Sequence, residues 1–224
     1  MSIRIHDVWN KKEKRQKSTT MRSQVTDEDA YISCRPEDRW VFDKLLIANK
    51  ANVLAAPREI PVPSKGEYIV RPIYNLSGLG LGASKMRLTP ETSEVRIPLG
   101  YFWSEVLEGV HLSVDYTNLK PSLTVQGIPP KEGLVRWRGW AKIDNAFAPE
   151  LPKWLTNIAT QYKTINIEYI GGKVIEVHLR GNPDPFDKGD FLKPVYEGDE
   201  IDGEFVEAPE PLVGRLGFIA EKTR

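Results

Sequence analysis

Residues 165–184 read INIEYIGGKVIEVHLRGNPD and contain the clearest structural pattern in the chain. Two runs rich in β-branched residues flank the pair Gly171–Gly172, a combination typical of a two-residue β-hairpin. Glu168 lies four residues before the second glycine, and Glu176 lies four residues after it. The hairpin therefore predicts two carboxylates that lie opposite or diagonal to each other across the strand pair.

The two glutamates indicate a candidate cation site. Strand alternation places His178 and Arg180 on the same face as Glu176. Like charges this close repel, so the arrangement is unfavourable unless a cation neutralises Glu168 and Glu176. Oxygen ligands without a thiol favour a hard divalent ion such as Mg²⁺. The alternative is a pair of surface glutamates on a solvated sheet face.

The amino-acid composition excludes several classes of protein. The chain has 224 residues, with 31 Lys and Arg against 31 Asp and Glu, which argues against broad attraction to nucleic acid or anionic membranes. Cys34 is the only cysteine, which excludes an internal disulfide and a cysteine-based zinc site. No apolar run approaches the roughly 20 residues that a membrane span needs. The N-terminus is too polar for a secretory signal, so we expect a cytoplasmic protein.

The remaining pattern predicts a β-rich chain with few helices. Residues 1–35 form a polar N-terminal extension with a basic cluster, either a solvated arm or a phosphate-contacting one. Helical patterns cover 36–49 and 149–162. Besides the hairpin, strands are predicted at 68–70, 86–88, 100–107, 110–116, 123–125, 134–143 and 215–220.

A loop rich in small residues follows the strand at 68–70. Small residues allow a backbone to fold closely over phosphates and to present N–H groups to them. The spacing matches neither a P-loop nor a dinucleotide fingerprint, and a flexible hairpin tip would look the same. The candidate phosphate-contacting positions of this loop are Ser77, Gly78, Gly80 and Gly82.

The segment FWSEVLEGVHLSVDY, residues 102–116, is a candidate base-binding connection between strands. Glu105, the backbone of Val106 and Leu107, and His111 would place a carboxylate, free backbone groups and an imidazole around an adenine. The alternative is a plain β-turn with a histidine at a strand edge.

Two further tryptophans lie in VRWRGWAKI. Alternation over the predicted strand puts Arg136, Arg138 and Trp140 on one face and directs Trp137 to the core. The arginines are either ligands for an anionic substrate or a solvated strand face.

Taken together, and in their order along the chain, these features over about residues 38–183 resemble the ATP-grasp superfamily of carboxylate–amine ligases. Asp43–Lys44 in WVFDKLLIANK matches the family's phosphate-binding lysine, and Arg71 in YIVRPIYNLSGLGLG stands where the family has a second lysine. Residues 103–111 are similar to the family's adenine-binding hinge strand. Glu168 and the run EVHLR match its metal site, with His178 in place of an asparagine.

The resemblance implies a fold and its division. It implies an α+β, ATP-grasp-like architecture in which two β-rich lobes with packed helices enclose a nucleotide cleft. The small lobe with its glycine-rich lid would span 36–100, and the large lobe, with the metal site and a C-terminal tail, would span 101–224. The chain lacks room for the family's full N-terminal domain. Residues 1–35 and 181–224, a partner chain or a second copy would then help to bind the acid.

The resemblance also implies a chemistry. ATP, with Mg²⁺ or possible Mn²⁺ on Glu168, Glu176 and His178, would phosphorylate a small-molecule or peptide carboxylate, and an amine would displace the phosphate. Lys44 and Arg71 would neutralise phosphate charge, and Arg180 would stabilise the acylphosphate. Three alternatives stay open: a nucleotide-binding relative without turnover, an ATP-grasp kinase, and an unrelated β-rich interaction protein.

Overall fold

The computed structural model describes residues 26–77, 80–208 and 214–222. Two antiparallel sheets with short helices make up this part of the chain, which confirms the predicted α+β class. Gly78 and residues 1–25 of the predicted N-terminal extension lie outside the described residues. Among the described residues, no helix has the length and apolar character needed to cross a membrane.

The helices are short, and most begin at a recognisable cap. The predicted helix over 36–49 is divided in two because the Asp43 side chain accepts a hydrogen bond from the Leu46 backbone N–H and starts a new helix. The predicted helical stripe over 149–162 shrinks to a 3₁₀ turn and one short helix. The helices are α1 (Asp27–Ser33), α2 (Lys44–Lys50), α3 (Pro90–Arg96) and α4 (Thr156–Ala159), with 3₁₀ turns at Pro36–Phe42, Asn145–Phe147 and Lys153–Leu155.

The smaller sheet has four strands in the order β1-β4-β2-β3. They are β1 (Ala55–Pro57), β2 (Gly66–Pro72), β3 (Ser84–Leu88) and β4 (Tyr101–Glu105). Since β4 pairs with β1 and β2, this sheet extends beyond the lobe boundary predicted at residue 100. Its core contains Val70, Leu88, Ile97 and Trp103, all nearly inaccessible to solvent.

The larger sheet has eight strands in the order β11-β12-β10-β7-β6-β5-β8-β9. The predicted strand over 134–143 begins only at Gly139, and the C-terminal tail contributes two strands that the sequence pattern missed, β10 and β11. The strands are β5 (His111–Thr117), β6 (Lys120–Ile128), β7 (Gly139–Ile143), β8 (Thr164–Ile170), β9 (Lys173–His178), β10 (Phe191–Tyr196), β11 (Phe205–Glu207) and β12 (Arg215–Glu221).

The hairpin β8–β9 forms as predicted. Gly171 and Gly172 have φ values of 54° and 79°, the left-handed conformation that a two-residue turn requires. Glu168 pairs directly with Glu176, which confirms the predicted opposition of the two carboxylates. Tyr169 pairs with Val174, so Ile175 is an extra residue in β9. Without this bulge, a two-residue turn would place Ile175 opposite Glu168 and direct Glu176 to the other face.

The two faces of this hairpin have different environments. One face supplies Ile167, Tyr169 and Val177 to the largest hydrophobic core, which α1 and the Pro36–Phe42 turn also enter. The opposite face contains the two glutamates and lines a cleft whose other wall includes residues of β2. The core therefore determines which side chains of β8 and β9 face the cleft.

Candidate functional site

The cleft is a cavity of about 260 Å³. Its walls come from β2 and the loop after it, from β5, β8 and β9, and from the loop between β6 and β7. Most of the sequence-predicted site residues line it, so the structure brings together segments up to 136 positions apart in the chain. They are Lys44, Arg71, Ser77, Gly80, His111, Glu168, Glu176, His178 and Arg180.

Residues 105–107 of the predicted adenine-binding segment do not line this cavity, although His111 of the same segment does. The Glu105 carboxylate accepts a hydrogen bond from the Leu54 backbone N–H at 2.9 Å. Leu107 packs against a small hydrophobic cluster that includes Phe102, and Val106 is half-buried outside the cavity. Gly82 does not line the cavity, and a β-carbon at this position would meet the hydroxyl of Tyr101.

Each cleft glutamate has a cationic or imidazole partner. The Glu176 carboxylate lies 2.6 Å from the Lys44 ammonium, and both side chains are largely buried. The Glu168 carboxylate lies 3.1 Å from Nε2 of His111. Burial alone would raise the pKa of Glu168, but hydrogen bonds and charge from His111 and His178 outweigh it, and the pKa falls well below its usual value. Glu168 is therefore stabilised as an anion.

His178 lies between three carboxylates. Its Nδ1 is 2.9 Å from both carboxylate oxygens of Asp27, while its Nε2 is 3.6 Å from Glu168 and 3.9 Å from Glu176. Burial would lower the pKa of His178, but Asp27 and Glu168 raise it overall to about 10. The ring is then a cation at neutral pH, and a protonated Nε2 has no lone pair for a metal. The predicted role of His178 as a metal ligand stays a prediction.

Asp27 is a site residue that the sequence analysis assigned to a polar extension. It is 4% exposed, accepts a hydrogen bond from Nη2 of Arg180 at 2.9 Å, and forms an ion pair with Nε of the same guanidinium, also at 2.9 Å. Burial would raise the pKa of Asp27, but His178 and Arg180 lower it to about 2. The helix that positions Asp27 begins with a capping box between Thr26 and Asp29, a pattern readable from the sequence.

Arg71 joins the two sheets. Its guanidinium donates to the backbone carbonyl of Ile175 at 3.2 Å and lies 5.1 Å from the centre of the Phe102 ring. Burial lowers the pKa of Arg71, and the charges of Glu176 and Glu168 oppose that effect. The bulge in β9 thus serves two purposes, since it directs Glu176 into the cleft and presents a carbonyl to Arg71.

The loop after β9 closes one end of the cleft. The Asp115 carboxylate accepts from the Asn182 backbone N–H at 2.8 Å and from the Asn166 amide at 2.9 Å, which ties this loop to β5 and β8. Asp184 lies 3.4 Å from the guanidinium of Arg215, a buried residue of β12. Both line the cavity, so the C-terminal tail contributes to this wall.

Trp137 and Trp140 form an aromatic wall in the cavity. The expectation that Trp137 belongs to the core is wrong, because residues 134–138 are not a strand and alternation does not apply to them. The two indole centres lie 4.8 Å apart at 30°, and the edge of His111 packs against both. The arginines beside them lie elsewhere: Arg136 packs over Tyr196, and Arg138 donates to the Pro129 carbonyl.

No family model matches the chain, and no curated protein matches it. Among solved structures, it is similar to a protein from Archaeoglobus fulgidus described provisionally as a member of the ATP-grasp superfamily, with a TM-score of 0.49 and 11% identity over 89% of this chain and 68% of that one. The ATP-grasp ligase PsnB, complexed with a minimal precursor, gives 0.36 and 13% over 64% and 53%.

An L-amino acid ligase from Bacillus licheniformis is a third similar structure, with a TM-score of 0.42 and 10% identity over 61% of this chain and 39% of that one. The chain therefore spans about half or less of the two named ligases. These three TM-scores are below 0.5, so the function of the chain has to be inferred from the cleft itself.

The ATP-grasp resemblance implies a divalent cation, and the donor atoms in the cleft can be compared with what Mg²⁺ requires. Within the residues that the structure describes, no group of three or more His, Cys, Asp or Glu side chains is arranged to hold a metal. Mg²⁺ usually binds through one or two carboxylates together with substrate phosphates and water. The opposed pair Glu168 and Glu176 fits such a site, whereas a site built from protein ligands alone does not form here.

Proposed function

We propose that this protein is an ATP-dependent ligase that joins a carboxylate to an amine through an acylphosphate. The observation that carries the proposal is the opposed pair Glu168 and Glu176 in a cleft that also contains the cations Lys44, Arg71 and Arg180. Phosphoryl transfer from ATP needs acids that hold a metal ion and cations that neutralise the negative charge of the phosphates. Paired acids beside several cations match both needs.

The chain's own residues divide the work between phosphate and acceptor. Lys44 and Arg71 bind phosphate oxygens, while Ser77 and Gly80 of the lid exclude water from them. The substrate carboxylate attacks the γ-phosphorus, the bond from that phosphorus to the β-phosphate oxygen breaks, and ADP leaves. The amine nitrogen then attacks the acyl carbon, the carbon–oxygen bond to phosphate breaks, and the amine proton passes to solvent.

Arg180 has the position of an acyl-group ligand. Asp27 holds its guanidinium through two of its nitrogens, which limits its movement while it lines the cavity. A guanidinium held in this way stabilises the negative charge of the acylphosphate and of the oxyanion that forms when the amine attacks.

Mg²⁺ would supply positive charge at the phosphate oxygens when it binds with the nucleotide, and Glu168 and Glu176 are the residues that would hold it. Mn²⁺ would suit the same oxygens. The acceptors would be small-molecule or peptide acids and amines.

The single cysteine, Cys34, is buried and is consistent with a reducing cytoplasm.

Hydroxylamine trapping tests the proposal without knowledge of the amine. The protein, ATP and Mg²⁺ are incubated with pools of carboxylic acids, amino acids and short peptides, and hydroxylamine replaces the amine. We expect ADP and a hydroxamate in equal amounts with one class of acid. ADP without hydroxamate would indicate a kinase, and no ADP release with any pool would refute the ligase.

A nucleotide-binding protein without turnover is the second candidate. One observation favours it: Lys44 lies 2.6 Å from Glu176, so this carboxylate already has a cationic partner. Such a protein would show a rise in melting temperature with ATP or ADP but no ADP release. The same trapping assay therefore separates the two candidates.

A further inference from the structure

The aromatic wall of the cleft is larger than the phosphate chemistry requires. Trp137 and Trp140 are both half-buried and line the cavity, as do the apolar side chains of Ile69, Leu81 and Leu134. Trp40 and Trp154 form a second indole pair, with ring centres 6.1 Å apart, that does not line the cavity. Two tryptophans in one small cleft indicate a ligand with matching apolar surface.

The backbone is adapted to this wall. In the sheet register, Gly127 of β6 lies between His111 of β5 and Trp140 of β7. A β-carbon at position 127 would lie 2.7 Å from the Trp137 ring and 2.8 Å from the Trp140 ring. Glycine at position 127 therefore leaves the space that both indole rings occupy over this strand.

The aromatic wall also contacts the charged end of the cleft, which is the end that contains Glu168. The His111 ring centre is 4.6 Å from that of Trp137, and its Nε2 is 3.1 Å from the Glu168 carboxylate. A single side chain thus separates the indoles from the proposed phosphate-transfer centre. A ligand that reaches both ends must have a charged group and an apolar group close together.

We propose that Trp137 and Trp140 form a stacking subsite for a planar aromatic ring. Flat rings gain most from indole faces, because offset stacking adds to the burial of apolar area. The ring belongs either to the base of the nucleotide or to the side chain of the acceptor, and both present the same π-face to the wall. That the charged group of the same ligand lies near Glu168 rests on the proposed function.

Calorimetric titration of the full chain tests the subsite with three probes: adenosine, L-phenylalanine and inorganic tripolyphosphate. We expect one of the two ring probes to bind, and Trp137→Ala or Trp140→Ala to weaken it by about tenfold or more. Trp137→Leu keeps apolar volume without the indole and should also weaken binding, whereas Trp137→Phe should retain most of it. Trp154→Phe is the matched control outside the cleft and should change nothing.

Each outcome decides a separate point. Trp-dependent adenosine binding assigns the ring to the nucleotide, and Trp-dependent phenylalanine binding assigns it to the acceptor. If neither ring probe binds, or if binding survives both alanine variants, the subsite is refuted. Tripolyphosphate binding that is insensitive to these variants supports the charged end alone. If tripolyphosphate does not bind while a ring probe binds in a Trp-dependent manner, the subsite is supported and the proposed ligase is contradicted.

Discussion

Two segments on which the family resemblance depends have different positions in the structure. The hairpin β8–β9 presents Glu168 and Glu176 to the cleft, whereas residues 105–107 of the predicted adenine-binding segment do not line it. The glycine pair and the alternation predict the hairpin itself, whereas the bulge at Ile175 sets the register that opposes the two glutamates. The second segment depends on packing between distant elements, and Glu105 bonds to the backbone of Leu54.

Loss of a hairpin carboxylate should have the largest effect. Glu176→Gln and Glu168→Gln each keep the side-chain shape but remove the charge that would hold a cation with the phosphates. We expect ADP release to fall by about 10³-fold, as for removal of a preorganised electrostatic partner. Steady-state ADP assays with the acid found by trapping would measure it. Activity within a few-fold of the parent protein would contradict the metal role of the pair.

Removal of Lys44 should mainly reduce stability and nucleotide affinity. Lys44→Ala leaves Glu176 buried without its cation, and we expect a loss of about 3 kcal/mol in the free energy of unfolding. In a Glu176→Gln background, the same substitution should cost much less. Urea denaturation of the four proteins forms a double-mutant cycle.

Lys85→Ala is the matched control for this cycle, because it breaks a pair of similar length with Glu67 on the exposed surface. Its expected cost is below about 1 kcal/mol. Equal losses for the buried and exposed lysines would show that burial of the Lys44–Glu176 pair is unimportant.

The turn of the hairpin offers a comparison between neighbouring glycines. At Gly172 a β-carbon meets nothing within 4 Å, so Gly172→Ala should cost about 1 kcal/mol from the left-handed backbone alone. At Gly171 the same atom would collide with the Glu108 carbonyl, so Gly171→Ala should cost at least twice as much. Chemical denaturation measures both. A larger loss at Gly172 would contradict the close approach of the turn to the 108–109 loop.

The sequence predicted the elements whose geometry is local. The hairpin and the face shared by Glu176, His178 and Arg180 depend on turn residues and alternation. The break before Lys44 was missed, because the helical pattern over 36–49 reads as continuous. Asp27 was missed because its role depends on contacts with residues more than 150 positions away. Trp137 was assigned to the core because alternation was extended to residues 134–138, which do not form a strand.

We expect the smallest effect at Glu105, in the segment that does not line the cavity. Glu105→Gln keeps an oxygen that can accept from Leu54 N–H but removes its charge, so we expect about 0.5 kcal/mol lower stability. Because Glu105 does not line the cavity, nucleotide affinity should stay unchanged in calorimetric titration with ATP and Mg²⁺. A clear loss of ATP affinity with unchanged stability would mean that segment 105–107 reaches the base after all. The adenine would then occupy the predicted hinge, and the indole wall would be left for the acceptor.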